Sequence, residues 1–237
     1  MLTNMSGAVR GWPSIGIARP SSRGVAIFAL LGAAVCFGGS TVASKAMLAR
    51  MPPLTLAFGR FAIALVVLLL LCRRAGVRPT FGRLPALLGL TGIALPFICQ
   101  NIGLQFATAV DTTLVIEAGI PIATAVLGTS FLGERTRGWR LVGLLLAVVG
   151  VGAIVLHGAA GRASFSGLGS LLALGAALCF AVYTVVGRRL FGGHFSLPIL
   201  TGSVAIGVLV LAPCAALEIA LSGPGTMTPG DGLLLLY

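Results

Sequence analysis

Charge is what this chain has least of. Only 9% of its 237 residues are charged, and just five are acidic, whereas an ordinary soluble domain carries roughly 25% charged residues. A water-facing surface cannot be assembled from so few charges, which excludes a soluble globular fold. Histidine is nearly missing too: His157 and His194 are the only two, and they fall at the ends of apolar runs predicted to lie on opposite sides. There is no GxSxG, no HExxH and no phosphate-cradling glycine loop, and Glu117 is the only carboxylate read as deep in an apolar run. An intramembrane enzyme needs such groups to converge on one substrate atom, and ATP hydrolysis needs the phosphate loop, so neither activity is expected. No ring of like charges or filter sequence suggests a channel. The five cysteines, Cys36, Cys72, Cys99, Cys179 and Cys214, sit within or at the ends of apolar runs and include no CxxC pair. They are expected to be packing residues, with no disulfide framework, no metal site and no cofactor.

What the sequence does have is hydrophobic length. Hydrophobic residues make up 57% of the chain, and stretches such as Leu54 to Cys72 and Trp139 to Leu156 run for about the 17 to 25 residues that a ~30 Å hydrocarbon core demands. Apolar runs between turn and charge clusters predict spanning helices at 25–48, 54–72, 84–106, 111–132, 139–156, 167–187 and 197–221, with an eighth opening at Gly232 and reaching Tyr237. The expected fold is an all-α polytopic membrane protein with the lipid bilayer as its solvent. Residues 1–22, with Pro13, Pro20, Ser21 and Ser22, cannot bury apolar surface and are expected to form a tail. The first run is longer than the roughly 7 to 15 residues of a secretory signal core and lacks a clear cleavage site, so it is expected to stay in the membrane.

That run also recurs. Residues 31–45 read LGAAVCFGGSTVASK and residues 174–188 read LGAALCFAVYTVVGR, eight identities in fifteen positions at a constant offset of 143. The same offset places Leu54 on Leu197. Five spans separate the two copies, and an odd number per unit makes the second unit enter the bilayer from the opposite side. Duplicated, inverted helical units with a substrate site between them are how many secondary transporters are built.

The net charge of +11 would suit nucleic acid if it were clustered, but the basic residues lie in short loops between apolar runs, so no nucleic-acid partner is expected. With the N terminus inside, the cytoplasmic segments hold Arg10, Arg19, Arg23, Arg73, Arg74, Arg78, Arg83, Arg135, Arg137, Arg140, Arg188 and Arg189, while the outer loops hold Arg50 and Arg162. Positive charge accumulates in cytoplasmic loops, so a cytoplasmic N terminus is expected.

The segment LGERTRGWRLVGLLLAVVGVGAIV, from Leu132 to Val155, closely resembles the junction of the fourth and fifth helices in the EamA-type drug/metabolite transporter superfamily. The opening block is similar to it as well, with Lys45, the Pro52-Pro53-Leu54-Thr55 turn and Arg60-Phe61 in the family's order. The resemblance extends over residues 25–221. It implies a ten-helix carrier of two inverted five-helix halves, of which about seven and a half helices are present: a first repeat at 23–157 and an incomplete second one at 166–237. It also implies a secondary transporter, an exporter in the first instance, moving small metabolites, amino acids or drugs across the inner membrane by alternating access. The competing expectation is a truncated, non-transporting remnant, or a subunit completed by a partner chain. Oligomeric state is left open, a homo-oligomer included. Fifteen arginines against one lysine suggest GC-rich coding and a bacterial source.

Ionisable groups inside a span cost about 2.5 to 3.5 kcal/mol on insertion scales and mark functional candidates. Three are predicted: Lys45, Arg60 and Glu117. At 1.5 Å per residue, Lys45 lies roughly 6 to 8 Å inside the outer boundary and the other two roughly 9 Å. They are expected to face one water-filled cavity, with Glu117 pairing Lys45 or Arg60, serving as counter-ion or proton-coupling group, and the excess positive charge drawing an anionic or zwitterionic small-molecule substrate. The alternative for Lys45 is snorkelling to the outer surface. Gln100 and Asn101 either line the cavity or bond neighbouring helices. Asp111 is expected to cap the fourth span, and Glu134 to pair with Arg135 and Arg137. Gly32, Cys36, Ser40 and Ser44 form a small-residue stripe suited to helix packing, while Pro96 and Pro121 are expected to kink the third and fourth spans.

Overall fold

The structure is a computed structural model that describes residues 23–132, 138–159, 167–191, 196–223 and 225. Glu134, Arg135, Arg137, Arg162, His194 and the eighth apolar run lie outside the described residues. Among those described there is no strand. The helices are α1 (Arg23–Met47), α2 (Pro53–Arg74), α3 (Arg83–Gly89), a π-helical turn (Leu90–Ala94), α4 (Leu95–Phe106), α5 (Ala109–Leu132), α6 (Trp139–Ala159), α7 (Gly167–Phe191) and α8 (Leu197–Ser222). Six spans among the described residues are long and apolar enough to cross a membrane, the third of them composed of α3, the π-turn and α4; α6 is a further long helix. The protein is therefore an all-α polytopic membrane protein, because in hydrocarbon every backbone polar group must be satisfied within a helix or a closed barrel.

Local chemistry explains the breaks. Pro96 has no N–H to donate to the carbonyl four residues back. Just before it the backbone widens into the π-turn, closed by the Leu95 N–H donating to the Leu90 carbonyl. Pro121, by contrast, lies inside α5, which continues unbroken through it. The start of α5 is capped by a side chain: the Asp111 N–H donates to Thr108 Oγ1 at 3.1 Å, and that hydroxyl donates to Asp111 Oδ2 at 2.6 Å. Thr108 supplies the cap, and Asp111 orients it.

Packing runs through small side chains, as expected where lipid offers no hydrophobic drive between helices. Helix α7 lies against α4 and α5, and α2 against α8. Ala173, Ala176, Ala177 and Ala181 of α7 are buried, and a Cβ added to Gly119 of α5 would lie 2.8 Å from the Ala177 Cβ. Ala57, Ile93, Ala94, Val204 and Leu211 form the core between α2, the third span and α8. Helices α2 and α8 are antiparallel. At one end Cys72 Sγ meets Thr201 Oγ1 at 3.2 Å; at the other, Leu54 and Thr55 meet Glu218. We refer to the two ends of the bundle as the Arg73 end and the Arg50 end.

Candidate functional site

The polar residues of the first three spans meet in one seam between α1, α2 and α4, toward the Arg50 end. Arg60, two turns into α2, donates from Nη1 to Ser44 Oγ at 2.7 Å and from Nη2 to Ser40 Oγ. Ser44 in turn donates to the Ser40 carbonyl at 2.8 Å. The spacing of four that suggested a packing stripe thus does something else in its second half. Ser40 and Ser44 sit one turn apart on α1, so a single planar guanidinium can reach both. In the first half of the stripe, Cys36 is exposed and a Cβ at Gly32 would meet nothing within 4 Å.

Lys45 reaches the C-terminal end of α4. Its ammonium donates to the Leu104 carbonyl and, at 2.8 Å, to the Ala107 carbonyl. These oxygens belong to the last turn of α4 and the residue following it, where helix carbonyls have no partner of their own and a cation meets the negative end of the helix dipole. Gln100 is buried and donates from Nε2 to Thr41 Oγ1 at a long 3.5 Å, while its Oε1 is buried without a hydrogen-bond partner. Asn101, also buried, donates to the Pro53 carbonyl at 3.1 Å. Asn101 is thus a link between helices, whereas Gln100 keeps one acceptor free inside the seam.

Glu117 stands apart. It is exposed on α5, and the expected pairing with Lys45 or Arg60 is not made: both cations are satisfied by carbonyl and hydroxyl oxygens. Among the described residues, no carboxylate neutralises either charge. The reason is rotational. Depth along a helix follows from residue count, but facing direction depends on how each helix is turned against its neighbours, and α5 turns Val115 and Ile116 inward against α7 instead.

Beside Arg60 runs an aromatic wall that sequence reading did not anticipate. Phe61 and Phe97 meet edge to face with centroids 4.6 Å apart, and Phe97 meets Phe180 in the same way at 5.7 Å. The three rings tie α2, α4 and α7 together next to the polar seam in a favourable T-shaped geometry. Phe97 lies one turn from Gln100, a spacing that could have signalled a mixed polar and aromatic face. Among the described residues no three potential metal ligands cluster.

Glu218 is the other residue that sequence reading missed. It lies one turn before the end of α8, and its carboxylate accepts from the Leu54 N–H at 3.2 Å, the Thr55 N–H at 2.7 Å and Thr55 Oγ1 at 2.9 Å. An acid inside the 197–221 run was the available signal. It also lines a cavity of about 490 Å³ at the Arg50 end, together with Leu48, Pro53, Ile102, Gln105 and Ser222.

Against this geometry, the sequence profile described as the EamA-like transporter family matches residues 24–156. The chain is 30% identical over 220 residues to the "Uncharacterized transporter YetK" of Bacillus subtilis (strain 168), covering 90% of this chain and 66% of that protein. An "Uncharacterized transporter" of Archaeoglobus fulgidus is 26% identical over 206 residues, covering 85% of this chain and 70% of its own length. The "Uncharacterized transporter YyaM" of Bacillus subtilis is 28% identical over 194 residues, covering 77% and 62%. The chain thus spans about two thirds of the length of these relatives. A solved crystal structure superposes with a TM-score of 0.56 at 22% identity, covering 84% of this chain and 74% of the other, a likeness of fold alone.

Proposed function

The chain belongs to the EamA-like transporter family, and from that premise we propose that it moves a small anionic or zwitterionic metabolite across the inner membrane. Arg60 is the binding cation, supported by Ser40, Ser44 and Gln100. The observation that carries this reading is a guanidinium within a span whose partners are two serines, with no carboxylate neutralising it among the described residues. Hydroxyls solvate a cation without cancelling its charge, so the site favours a ligand that brings an anion. The unpartnered Gln100 Oε1 adds an acceptor suited to an ammonium or hydroxyl on the same ligand. The aromatic wall of Phe61, Phe97 and Phe180 adjoins Arg60 through its chain neighbour Phe61.

In this reading the Arg73 end faces the cytoplasm, the halves 23–157 and 166–237 are the two repeats, and transport proceeds by alternating access with export as its direction. Lys45 and Asn101 hold the seam's helices together, and Glu117, facing away from it, is the proton-coupling candidate. Pro96 and its π-turn give the third span a place to flex.

Binding is tested on the purified full chain in detergent by thermal shift with millimolar alanine, glutamate, succinate and, as the cationic control, putrescine. Stabilisation by an anionic or zwitterionic probe that is lost in Arg60→Gln supports the site. Equal stabilisation by putrescine, or full retention in Arg60→Gln, overturns it. In vesicles, Glu117→Gln is expected to abolish the dependence of flux on a pH gradient; flux at the wild-type rate with unchanged pH dependence removes Glu117 from coupling.

A second reading, a subunit whose α1 is covered by helices of a partner chain, is favoured by one observation. Ala34 on α1 is exposed where its repeat counterpart, Ala177, is buried.

A further inference from the structure

We propose that Glu218 is a releasable latch that closes the Arg50 end between α2 and α8, with the Arg73 end of the same helix pair acting as the hinge. The proposal builds on the transport reading, since a latch serves a carrier that opens and closes.

Three observations converge on Glu218. First, α2 has no cap of its own. Its N-cap position is Pro52, which makes no side-chain cap bond, and Pro53 follows at the start of the helix. The Leu54 and Thr55 N–H groups are first-turn donors that a helix cannot satisfy internally, and the Glu218 carboxylate accepts both. Second, Glu218 is poorly placed for its own helix. It sits one turn before the end of α8, on the side of that helix where the dipole disfavours an anion, yet it faces the N-terminal end of α2, where the dipole favours one. Its charge is thus stabilised only across the interface. Third, the carboxylate is half-buried at the rim of the 490 Å³ cavity, so water can replace α2 as its partner when the ends separate.

The opposite end of the pair is built differently. There Thr80, in the segment that leads from α2 to α3, donates its N–H to the Pro198 carbonyl of α8 at 3.0 Å, and a Cβ on Gly202 would lie 1.9 Å from the Thr80 carbonyl oxygen. Cys72 and Thr201 are buried against each other at that end. Backbone packed on backbone with no room for a side chain cannot be hydrated without unpacking. Across the α2–α8 pair at the Arg50 end, by contrast, the hydrogen bonds among the described residues come from Glu218 alone, with Gly225 just beyond α8 lying close against the Arg50 carbonyl, and a pair fastened in this way can hinge at one end and part at the other.

The test reads conformation and needs no substrate, so its failure is separable from failure of the transport reading. In the full chain with its five native cysteines replaced, reconstituted in nanodiscs, a reporter Ile102→Cys in the cavity wall is labelled with N-ethylmaleimide. A second reporter, Thr201→Cys, marks the hinge end. Glu218→Ala and Glu218→Gln are expected to raise the labelling rate at position 102 at least fivefold and to leave position 201 unchanged, with Glu218→Asp in between. Separately, a Thr55→Cys/Glu218→Cys disulfide is expected to suppress labelling at position 102 until it is reduced. The proposal is overturned if position 102 labels at the wild-type rate in both Glu218 variants. It is equally overturned if both reporters speed up together, because the carboxylate then holds the whole fold and not a gate. A disulfide that leaves the rate at position 102 unaltered also rejects it.

Discussion

Helices α1 and α7 carry the same motif and live in different surroundings. Both contain LGAA, CF and TV in the same register. In α7 the small face closes against α4 and α5, burying Ala176, Ala177 and Ala181. In α1 the counterpart Ala34 is exposed, and a Cβ at Gly38, the counterpart of Ala181, would meet nothing within 4 Å. What secures α1 is its polar second half: Ser40 and Ser44 to Arg60, Thr41 to Gln100, Lys45 to the end of α4. The register places Tyr183 opposite Ser40, Gly187 opposite Ser44 and Ser203 opposite Arg60, so the second copy lacks the polar seam. The difference teaches that a small-residue face permits close helix contact but does not create it, and that of two helices sharing a motif one can be held by packing while the other is held by hydrogen bonds.

The strongest way to break this comparison is to enlarge the two equivalent alanines. Ala177→Leu forces three carbons into the contact with Gly119, and overpacking of this kind costs about 3 kcal/mol. Ala34→Leu is expected to change stability by less than about 0.5 kcal/mol, as surface substitutions do. Equal losses in detergent unfolding would show that the α1 face is covered after all.

The next effect concerns the polar staples. Lys45→Met leaves the Leu104 and Ala107 carbonyls without their cation, a loss of about 2 kcal/mol for hydrogen bonds to a charged group. Hydrogen exchange should quicken along α1 and at the end of α4 while α7 stays protected. A uniform change across the bundle would mean that Lys45 supports the whole fold.

The smallest contrast lies in the shared threonines. Thr41→Val removes the partner of the buried Gln100 amide and is expected to cost about 1 kcal/mol. Thr184→Val removes a hydroxyl that bonds only the Phe180 carbonyl of its own helix at 2.8 Å, so it is expected to be nearly neutral, because such back-bonding contributes little to a helix. Matching values for the pair would erase the distinction between the two copies.

Much of the scaffold could be read without coordinates. The run predicted at 54–72 is helical over Pro53–Arg74, the one at 111–132 over Ala109–Leu132, and the one at 197–221 over Leu197–Ser222. Long apolar runs are unambiguous because the thickness of the hydrocarbon sets their length. The candidate site was legible in part. Arg60, Lys45, Gln100 and Asn101 were identified and do converge, since ionisable and amide groups in apolar runs are too costly to be incidental. Their partners were not legible. Ser40 and Ser44 looked like packing residues, because a hydroxyl serves either purpose and only the neighbouring helix decides which. Glu117 was expected to pair with a cation at its own depth, but its azimuth around α5 points elsewhere. Glu218 escaped notice because nothing local indicates that an acid at the end of one helix caps another 163 residues away.

By itself, the sequence determined that this protein is a bundle of membrane-spanning helices, that one helix motif occurs in it twice, and which few polar groups enter its spans. Those properties follow from composition, length and spacing, and hydrocarbon enforces them on each segment separately. The tertiary structure alone decided that Arg60 is held by serines, that Lys45 caps α4, that α2 borrows its cap from α8, and that α7 is packed where α1 is tethered. Each of these depends on the rotation of one helix against another, a degree of freedom that lipid leaves open and only the contacts between helices fix.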